Sequence, residues 1–225
     1  MIDFKDISKI DGWLTGREAH LLYSLSRDVD SLSTIVEIGS WKGRSTLCLG
    51  MGSKDGHRAR VYAIDPHTGS SEHIRTFGKV DTFAEFTGNI QNSGFADLIS
   101  PIRKSSKEAA FDFDCGIGLL FIDGAHEFRH VREDFILWFS KVIEGGNVAF
   151  HDSWHFLGPN TVSAWVACAS FHVKNPRLVD TITVFEKVKQ NSIIDRLWNI
   201  VFILYRTLFG IIGFWRIKRR MNFDF

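Results

Sequence analysis

Short apolar runs alternate with longer amphipathic stretches along the first 190 residues of the chain. The runs are too short and too rich in branched side chains for helices, which predicts buried strands. Between them, apolar residues recur at three- and four-residue steps, as in helices that bury one face. The predicted strands are Thr34–Ile38, Arg60–Ile64, Leu98–Ile102, Gly118–Ile122, Asn147–Phe150, Phe171–Val173 and Leu178–Val188. The predicted helices are Gly16–Arg27, Arg44–Met51, Asp81–Ser93, Ser106–Ala110, Phe128–Val142 and Thr161–Ser170.

Strands that alternate with helices predict the α/β class, with a doubly wound, mostly parallel seven-stranded sheet covered by helices on both faces. Gly145-Gly146 is expected to end the helix before the fifth strand, and Asn175-Pro176 to separate the last two strands. The residues after Gln190 return to a helical pattern. We therefore expect a domain at 1–190 and an amphipathic helical tail at 191–225.

Charge divides the chain at the same place. The 27 Lys and Arg and 26 Asp and Glu residues leave a net charge of +1, which gives no argument for a nucleic-acid partner. Six basic and two acidic residues lie in 191–225, so the tail carries +4 and the rest of the chain −3. An acidic body and a basic, aromatic tail indicate two parts with different roles.

Two features of the sequence predict a cytoplasmic protein. The start of the chain lacks a basic segment followed by an apolar one, so we expect no secretory signal. Cys48, Cys115 and Cys168 lie far apart in apolar stretches and form no Cys-x-x-Cys pair. They are expected to be buried thiols in a reducing compartment rather than zinc ligands.

Polar residues gather where the predicted strands end, which is where ligands bind in an open α/β sheet. One acidic residue in such a place is usually a cap or a turn former. Here the acidic residues recur after most of the strands, which favours a shared site at one edge of the sheet. The segments are Glu37–Ser40, Asp65–His67, Ser105-Ser106, Asp123–His126 and His151-Asp152.

The loop after the first strand is rich in glycine but lacks a dinucleotide fingerprint. Gly39 and Gly43 allow the backbone to approach a ligand closely, whereas Trp41 and Arg44 do not fit the G-x-G-x-x-G pattern. Asp65 closes the second strand, 26 residues after Gly39, near the place where a carboxylate binds a ribose diol. The pattern favours a nucleoside ligand without a pyrophosphate.

These motifs resemble class I S-adenosylmethionine-dependent methyltransferases. More narrowly, they resemble a bacterial small-molecule and sugar O-methyltransferase family related to the cephalosporin-hydroxylase and macrocin-type enzymes. The resemblance covers 10–188 and implies a Rossmann-like fold and methyl transfer to a hydroxyl of a sugar, glycan or natural product. It is carried by Ile10–Leu14, Val36–Thr46, Asp65, Ile122–His126 and Gly145–Asp152.

The resemblance also implies the contacts with S-adenosylmethionine. The glycine loop would lie against the methionine part, and Glu37 would hold the loop or the amino group. Asp65 would bind the ribose hydroxyls. Ser105 and Ser106 would lie near the adenine edge, although many relatives have Asp in place of Ser105. The full set of expected cofactor residues is Glu37, Gly39, Ser40, Gly43, Asp65, Ser105 and Ser106.

A metal and a base are both expected beside the cofactor. By the same resemblance, a divalent ion would be bound by Asp123, His151 and Asp152. Two carboxylates and an imidazole suit Mn²⁺, Fe²⁺ or Zn²⁺ better than Mg²⁺. An acidic residue is usual at the position of His151, so a site without metal, in which this ring is packed, stays open. His126 suits the general base, and with Asp123 it makes the catalytic pair.

Further rings follow the same strands and are expected to line the acceptor pocket or to pack in the core. Among the histidines, His67 is favoured because it closely follows Asp65. The candidates are His67, His73, His130, His155, Trp41, Trp154 and Phe156.

The tail, drawn as a helix, has a narrow polar stripe beside a wide apolar face. Its uncharged runs are shorter than the ~20 residues that a membrane span needs. Three partners fit the apolar face of 193–220: an anionic membrane surface on the inner side of the cytoplasmic membrane, a second copy in a homo-oligomer, or the body of the chain. The stripe is Ser192, Asp195, Asn199, Arg206, Gly210 and Gly213, and a basic cluster follows at Arg216, Lys218, Arg219 and Arg220.

Two other classes of function compete with methyl transfer. A nicotinamide-dependent oxidoreductase would share the fold, but the missing dinucleotide fingerprint argues against it. A non-catalytic protein of the membrane surface would need no reactive groups, and the set of Asp123, His126 and Asp152 argues against it. Fold alone does not decide between these classes.

Overall fold

The computed structural model describes residues 3–70, 75–76 and 78–221, with the side chains of the last helix as far as Leu208. The strands in these residues are β1 (Thr34–Ile38), β2 (Arg60–Ile64), β3 (Ile99–Ile102), β4 (Ile117–Ile122), β5 (Val142–Phe150), β6 (Val173–Val179) and β7 (Ile182–Lys187). The helices are α1 (Phe4–Ile7), α2 (Gly16–Arg27), α3 (Arg44–Asp55), α4 (Phe83–Gln91), α5 (Ser106–Phe111), α6 (Phe128–Phe139), α7 (Leu157–Ala169) and α8 (Ile193–Met221).

The strands form one sheet in the order β3-β2-β1-β4-β5-β7-β6. All neighbours are parallel except at β7, which runs antiparallel to both β5 and β6. The predicted doubly wound, mostly parallel seven-stranded sheet is therefore confirmed. The strand order reverses between β1 and β4, and a crevice opens at such a switch point beyond the carboxyl ends of the strands.

The sheet carries an apolar core on each face. Neighbouring residues of a strand point to opposite faces, so Ile35 and Leu119 belong to one core and Val36 and Leu120 to the other. Every residue of β4 is buried, as expected for a central parallel strand. This packing fixes the ends of β1 and β4 next to each other, with Ile38 paired with Ile122.

Gly145 and Gly146 do not end a helix, contrary to the expectation from sequence. The helix ends at Phe139, and both glycines lie inside β5, which begins at Val142. The register between β4 and β5 shifts at this point, and Gly145 has a φ of 81°. A strand bulge explains the glycine, because this conformation is strained for other residues.

The turn between the last two strands was also misplaced by the sequence pattern. Asn175 and Pro176 lie inside β6, at a register shift against β7. Proline is tolerated there because β6 is the edge strand of the sheet. The reversal comes instead at Asp180, whose φ is 48°.

The cysteines do not all follow the expectation of buried thiols. Cys48 is buried, but Cys115 is half-buried and Cys168 is exposed. The apolar stretch that holds Cys168 forms α7, which buries its Val162 and Val166 side. Position 168 falls on the opposite side of that helix.

The predicted helical tail is confirmed as α8, a helix of 29 residues. Its first turn is capped by Ser192, whose hydroxyl accepts a hydrogen bond from the backbone N–H of Asp195. The helix packs against β6 and α7. Within the described part of the chain, no helix combines the length and apolar character that crossing a membrane requires.

Candidate active site

A cavity of ≈1080 Å³ opens at the carboxyl ends of β1, β2, β4 and β5. Its walls come from residues that lie far apart in the sequence, because the parallel strands all end at this edge. Nine of the predicted site residues line it, and Glu37 and Gly43 do not. The nine are Gly39, Ser40, Asp65, Ser105, Ser106, Asp123, His126, His151 and Asp152.

Asp65 organises the glycine loop from the end of β2. Its Oδ2 accepts hydrogen bonds from the backbone N–H groups of Ser40 and Trp41, both at 2.9 Å. Its Oδ1 accepts one from the N–H of His67 at 2.6 Å. The carboxylate thus fixes the loop that leads into α3, and its contact with a ribose stays a prediction.

Gly39 is required by close packing between the loops that follow β1 and β4. Its φ is 84°, and a Cβ at this position would overlap the backbone carbonyl of Asp123. In return, the N–H of Asp123 donates to the carbonyl of Ile38 at 2.8 Å. The absence of a side chain at Gly39 therefore helps to place the carboxylate of Asp123.

Glu37 supports the start of α3 rather than facing the cavity. It is fully buried and accepts a hydrogen bond from the hydroxyl of Thr46. Desolvation by burial raises the pKa of Glu37 to about 8, although hydrogen bonds from Ser45 and Thr46 oppose the shift. Of its two expected roles, the geometry favours holding the loop over binding an amino group.

The raised pKa of Glu37 predicts a pH-dependent difference in stability for Glu37→Gln. The native carboxyl holds its proton up to about pH 8, whereas the unfolded one loses it near 4.5. Folding stability from this group therefore falls as pH rises through that window. Glutamine keeps an acceptor for Thr46 and cannot ionise. Near pH 8, we therefore expect the free energy of unfolding of the variant to exceed that of the wild type by a few kcal/mol.

Thermal unfolding of both proteins at several pH values between 5 and 8 measures this gain. We expect similar free energies of unfolding near pH 5 and a widening difference above it. A constant difference across the range would contradict a protonated Glu37.

The two serines after β3 already hold structural hydrogen bonds. Ser105 caps α5, with its hydroxyl accepting from the N–H of Glu108 and its own N–H donating to that side chain. The hydroxyl of Ser106 accepts from Nε1 of Trp138 at 2.8 Å. Both residues line the cavity, and their contact with adenine stays a prediction.

Asp134, on α6, is a cavity residue that the sequence reasoning missed. It is 8% exposed, and burial raises its pKa to about 6, with a hydrogen bond from Ser106 opposing. The sequence does indicate this position, because Asp134 comes three residues after Val131 and four before Trp138, which places it on the apolar face of the helix. A carboxyl on that apolar face marks a polar pocket behind it.

Asp123, His126 and Asp152 come together in the cavity as the candidate reactive group. Each offers a ligand atom, and these atoms lie within 4.8 Å of one another. Nε2 of His126 is 3.4 Å from Oδ2 of Asp152. The imidazole also stacks on Phe156, with 3.9 Å between the ring centroids. The ring is thus held between a carboxylate and an aromatic face.

His151 lies next to this group and is 5% exposed. Its Nδ1 is 2.9 Å from Asp123 and 3.3 Å from Asp152, and its Nε2 is 3.7 Å from Glu18. Burial lowers the pKa of His151, but the three carboxylates outweigh it and raise the pKa well above its usual value. The imidazolium compensates part of the negative charge that the site collects.

Glu18 is the second residue that the sequence reasoning missed. It comes from α2, where it completes a capping box with Thr15, and its Oε1 accepts hydrogen bonds from the N–H and the hydroxyl of Thr181. Burial raises its pKa, but hydrogen bonds from His151 and Thr181 outweigh this and lower it to about 2. The capping pattern is visible in the sequence, whereas the contact with His151 is not.

The expected acceptor rings divide into two groups. His130, His155, Trp41 and Phe156 line the cavity. His67 does not: it is buried, with Nδ1 2.9 Å from the hydroxyl of Thr82. The prediction that His67 is the favoured histidine of the acceptor pocket was therefore wrong. The backbone at His67 is left-handed, and its ring lies in the core. Trp154 donates to the carbonyl of Asp180, and His73 lies outside the described residues.

A family model described as a methyltransferase domain matches residues 36–153, which is more than half of the chain. The match runs from β1 through the His151-Asp152 pair and so contains most of the site. The chain belongs to this methyltransferase family. The predicted class I S-adenosylmethionine-dependent methyltransferase is confirmed, and the nicotinamide-dependent alternative is set aside.

Two curated relatives of this methyltransferase carry no assigned function. The uncharacterized protein y4gI of Sinorhizobium fredii is 32% identical over 121 residues, which is 53% of this chain and 13% of that protein. The uncharacterized protein R132 of Acanthamoeba polyphaga mimivirus is 31% identical over 138 residues, 59% of this chain and 58% of that protein. The chain thus spans less than two thirds of the length of either relative.

A solved structure shares the methyltransferase fold. The O-methyltransferase NovP has a TM-score of 0.66 at 15% sequence identity, over 77% of this chain and 80% of that chain. At this identity the likeness shows the fold alone. It agrees with the α/β fold described above.

The donor atoms of the methyltransferase site fit a divalent cation. Asp123 and Asp152 supply carboxylate oxygens and His126 an imidazole nitrogen, a set that suits Mn²⁺, Fe²⁺ or Zn²⁺. The sequence had placed His151 in the third position. Its Nδ1 points at the same two carboxylates, so the two imidazoles are alternative partners for them.

Proposed function

We propose that this methyltransferase moves the methyl group of S-adenosylmethionine to a hydroxyl oxygen of a small-molecule or glycan acceptor. One observation carries the proposal: the loop held by Asp65 and the group of Asp123, His126 and Asp152 line the same cavity. A methyl donor on the loop would thus lie beside groups that handle a proton. A hydroxyl must lose its proton during methylation, which gives a base its role.

The cofactor would bind across the loop of Gly39 and Ser40, with its ribose at Asp65. A carboxylate has about four lone-pair sites, and backbone N–H groups occupy three of them here. The remaining site on Oδ1 suits a ribose hydroxyl. The cavity volume of ≈1080 Å³ is at the upper end for ligand pockets, which leaves room for an acceptor beside the cofactor.

His126 would accept the proton of the acceptor hydroxyl. S-adenosylmethionine supplies a methyl group on a positive sulfur, and its carbon–sulfur bond breaks as the acceptor oxygen bonds to the methyl carbon. The positive charge lost from sulfur then reappears on the imidazolium of His126. Asp152, 3.4 Å from Nε2, stabilises that imidazolium and orients the ring.

A divalent ion would be held by Asp123 and Asp152 with one of the two imidazoles. Such an ion lowers the pKa of a bound hydroxyl and would share the task of His126. In its absence, the cation of His151 keeps the two carboxylates together.

Calorimetric titration tests the cofactor class. We expect heat with S-adenosylmethionine and with its demethylated product, and none with NAD. Asp65→Ala should weaken binding about 10- to 100-fold, since a hydrogen bond to a charged group contributes roughly 1.5–3 kcal/mol. Asp97→Ala is the matched control, because Asp97 is an exposed partner of Arg58 outside the cavity. No heat from the wild type with either compound would overturn the proposal.

An acceptor screen with radiolabelled methyl donor tests the reaction. Hydroxylated sugars, glycans and phenols are offered with and without a chelator. Activity that survives exhaustive chelation assigns the deprotonation to His126, and activity restored by Mn²⁺ assigns a metal to Asp123 and Asp152. Methyl transfer only to amines or thiols would contradict an O-methyltransferase.

A further inference from the structure

The last helix packs on the body through its polar side. Asn199 and Arg206 of α8 are buried, at 0% and 1% exposure. Nδ2 of Asn199 donates to the carbonyl of Val173 at 3.0 Å. The guanidinium of Arg206 donates to the hydroxyls of Ser163 at 2.7 Å and Thr183 at 3.1 Å. These two members of the polar stripe therefore hold α8 in place.

The apolar side of α8 is consequently turned away from the body. Trp198 and Leu204 are 63% and 60% exposed, the reverse of the usual surface helix, which buries its apolar face. No described part of this chain covers that face, so packing on the body, one of the three expected partners, does not account for it. The exposed apolar side chains include Ile193, Ile194, Leu197, Trp198, Leu204 and Leu208.

Charge distinguishes the C-terminal end of this helix from its middle. Arg216, Lys218, Arg219 and Arg220 fall in the last turns of α8. Between 196 and 221 the sequence contains six basic residues and no acidic one. A long apolar face followed along the same helix by a cluster of basic residues calls for a partner that is apolar and anionic together.

We propose that α8 docks on the surface of an anionic lipid bilayer, with its axis in the plane of the interface. The exposed apolar side would enter the headgroup region, as in other interfacial helices. The basic cluster would contact the lipid phosphates. Trp198 and Tyr205, both exposed, are of the two residue types enriched at membrane interfaces. The helix is about 43 Å long, so a contact along its length would orient the protein on the bilayer.

A second copy of the chain satisfies these features less well. A second copy would cover the apolar face. Its own α8, however, has a single acidic residue, Asp195, which lies in the first turn, far along the helix from the basic cluster. Asp195 is moreover engaged by Ser192. Self-association through this helix is therefore an outcome that the experiment must separate from lipid binding.

Vesicle flotation with the full chain tests the proposal. The probes are phosphatidylcholine vesicles with and without phosphatidylglycerol, at low and high salt. The double variant Trp198→Ser with Leu204→Ser removes apolar contacts, and Arg219→Gln with Arg220→Gln removes charge. The matched control is Leu32→Ser with Phe111→Ser, since Leu32 and Phe111 are 96% and 90% exposed but lie outside α8.

We expect the wild type and the control to float with the anionic vesicles, and salt to weaken this binding. Each α8 variant should lower the partition coefficient at least tenfold while leaving the heat of S-adenosylmethionine binding unchanged. Because cofactor binding is measured separately, the result on vesicles does not depend on the proposed reaction. Wild-type protein that stays unbound, or that binds neutral vesicles equally well, would overturn the proposal. So would a dimer that Trp198→Ser with Leu204→Ser converts to a monomer while vesicle binding is absent throughout.

Discussion

Replacing His126 by alanine is expected to lower kcat by about 10²- to 10⁴-fold, the usual range for a general base. The imidazole lines the cavity, lies 3.4 Å from Asp152 and is grouped with both Asp123 and Asp152. The affinity for S-adenosylmethionine should stay within about twofold, because the cofactor residues lie on the other loops. Single-turnover methyl transfer and calorimetry on the same preparation measure the two effects.

His130→Ala is the matched control for this prediction. His130 lines the same cavity from the first turn of α6, but its ring is 3.5 Å from Glu127 rather than in the reactive group. Its loss should change kcat little. Added imidazole should restore part of the rate of His126→Ala, which a role limited to packing on Phe156 would not allow. Normal turnover of His126→Ala would remove the assignment of the base.

Replacing Gly39 by alanine is expected to abolish cofactor binding and to destabilise the fold by about 2–6 kcal/mol. About 1–3 kcal/mol comes from the left-handed backbone, and a similar amount from overpacking. The new Cβ would overlap the carbonyl of Asp123, so either the glycine loop or the end of β4 has to move. Denaturant unfolding gives the loss of stability, and calorimetry gives the loss of binding.

Gly94→Ala isolates the backbone contribution. Gly94 has the same φ of 84°, but nothing lies within 4 Å of a Cβ placed there. This variant should therefore lose only the 1–3 kcal/mol or so of backbone strain and should bind S-adenosylmethionine normally. Equal destabilisation of the two variants, with binding retained in both, would show that the contact between Gly39 and Asp123 is unimportant.

The elements that the sequence predicts well are those specified by local pattern. β1 and β2 begin and end at the predicted residues, because a short apolar run is stable only as a buried strand. The errors in the predicted elements lie at glycine and proline residues, which occur in more than one kind of local structure. Gly145 marks a bulge rather than a helix end, and Pro176 occupies an edge strand rather than a turn.

The cavity residues follow the same logic. The predicted catalytic and metal-binding residues lie within four positions of a strand end, and a parallel sheet brings these positions to one edge regardless of the details of packing. That is why Asp65, Asp123, His126 and Asp152 meet in the cavity although their sequence separations differ widely. Glu18 and Asp134 could not be predicted in this way, because both lie on helices and reach the site through side chains on a packed face.

The sequence by itself determined the strands, the polar residues at their ends and the amphipathic character of the tail, because each of these depends on neighbours a few positions away. Only the tertiary structure decided that the His126 side chain is 23% exposed while that of His151, on the same cavity, is 5% exposed, and that α8 turns Asn199 and Arg206 inward. These choices depend on contacts between distant segments, such as Glu18 with Thr181 and Arg206 with Ser163. A buried polar group must find its hydrogen-bond partner wherever the fold supplies one, and no local pattern states where that is.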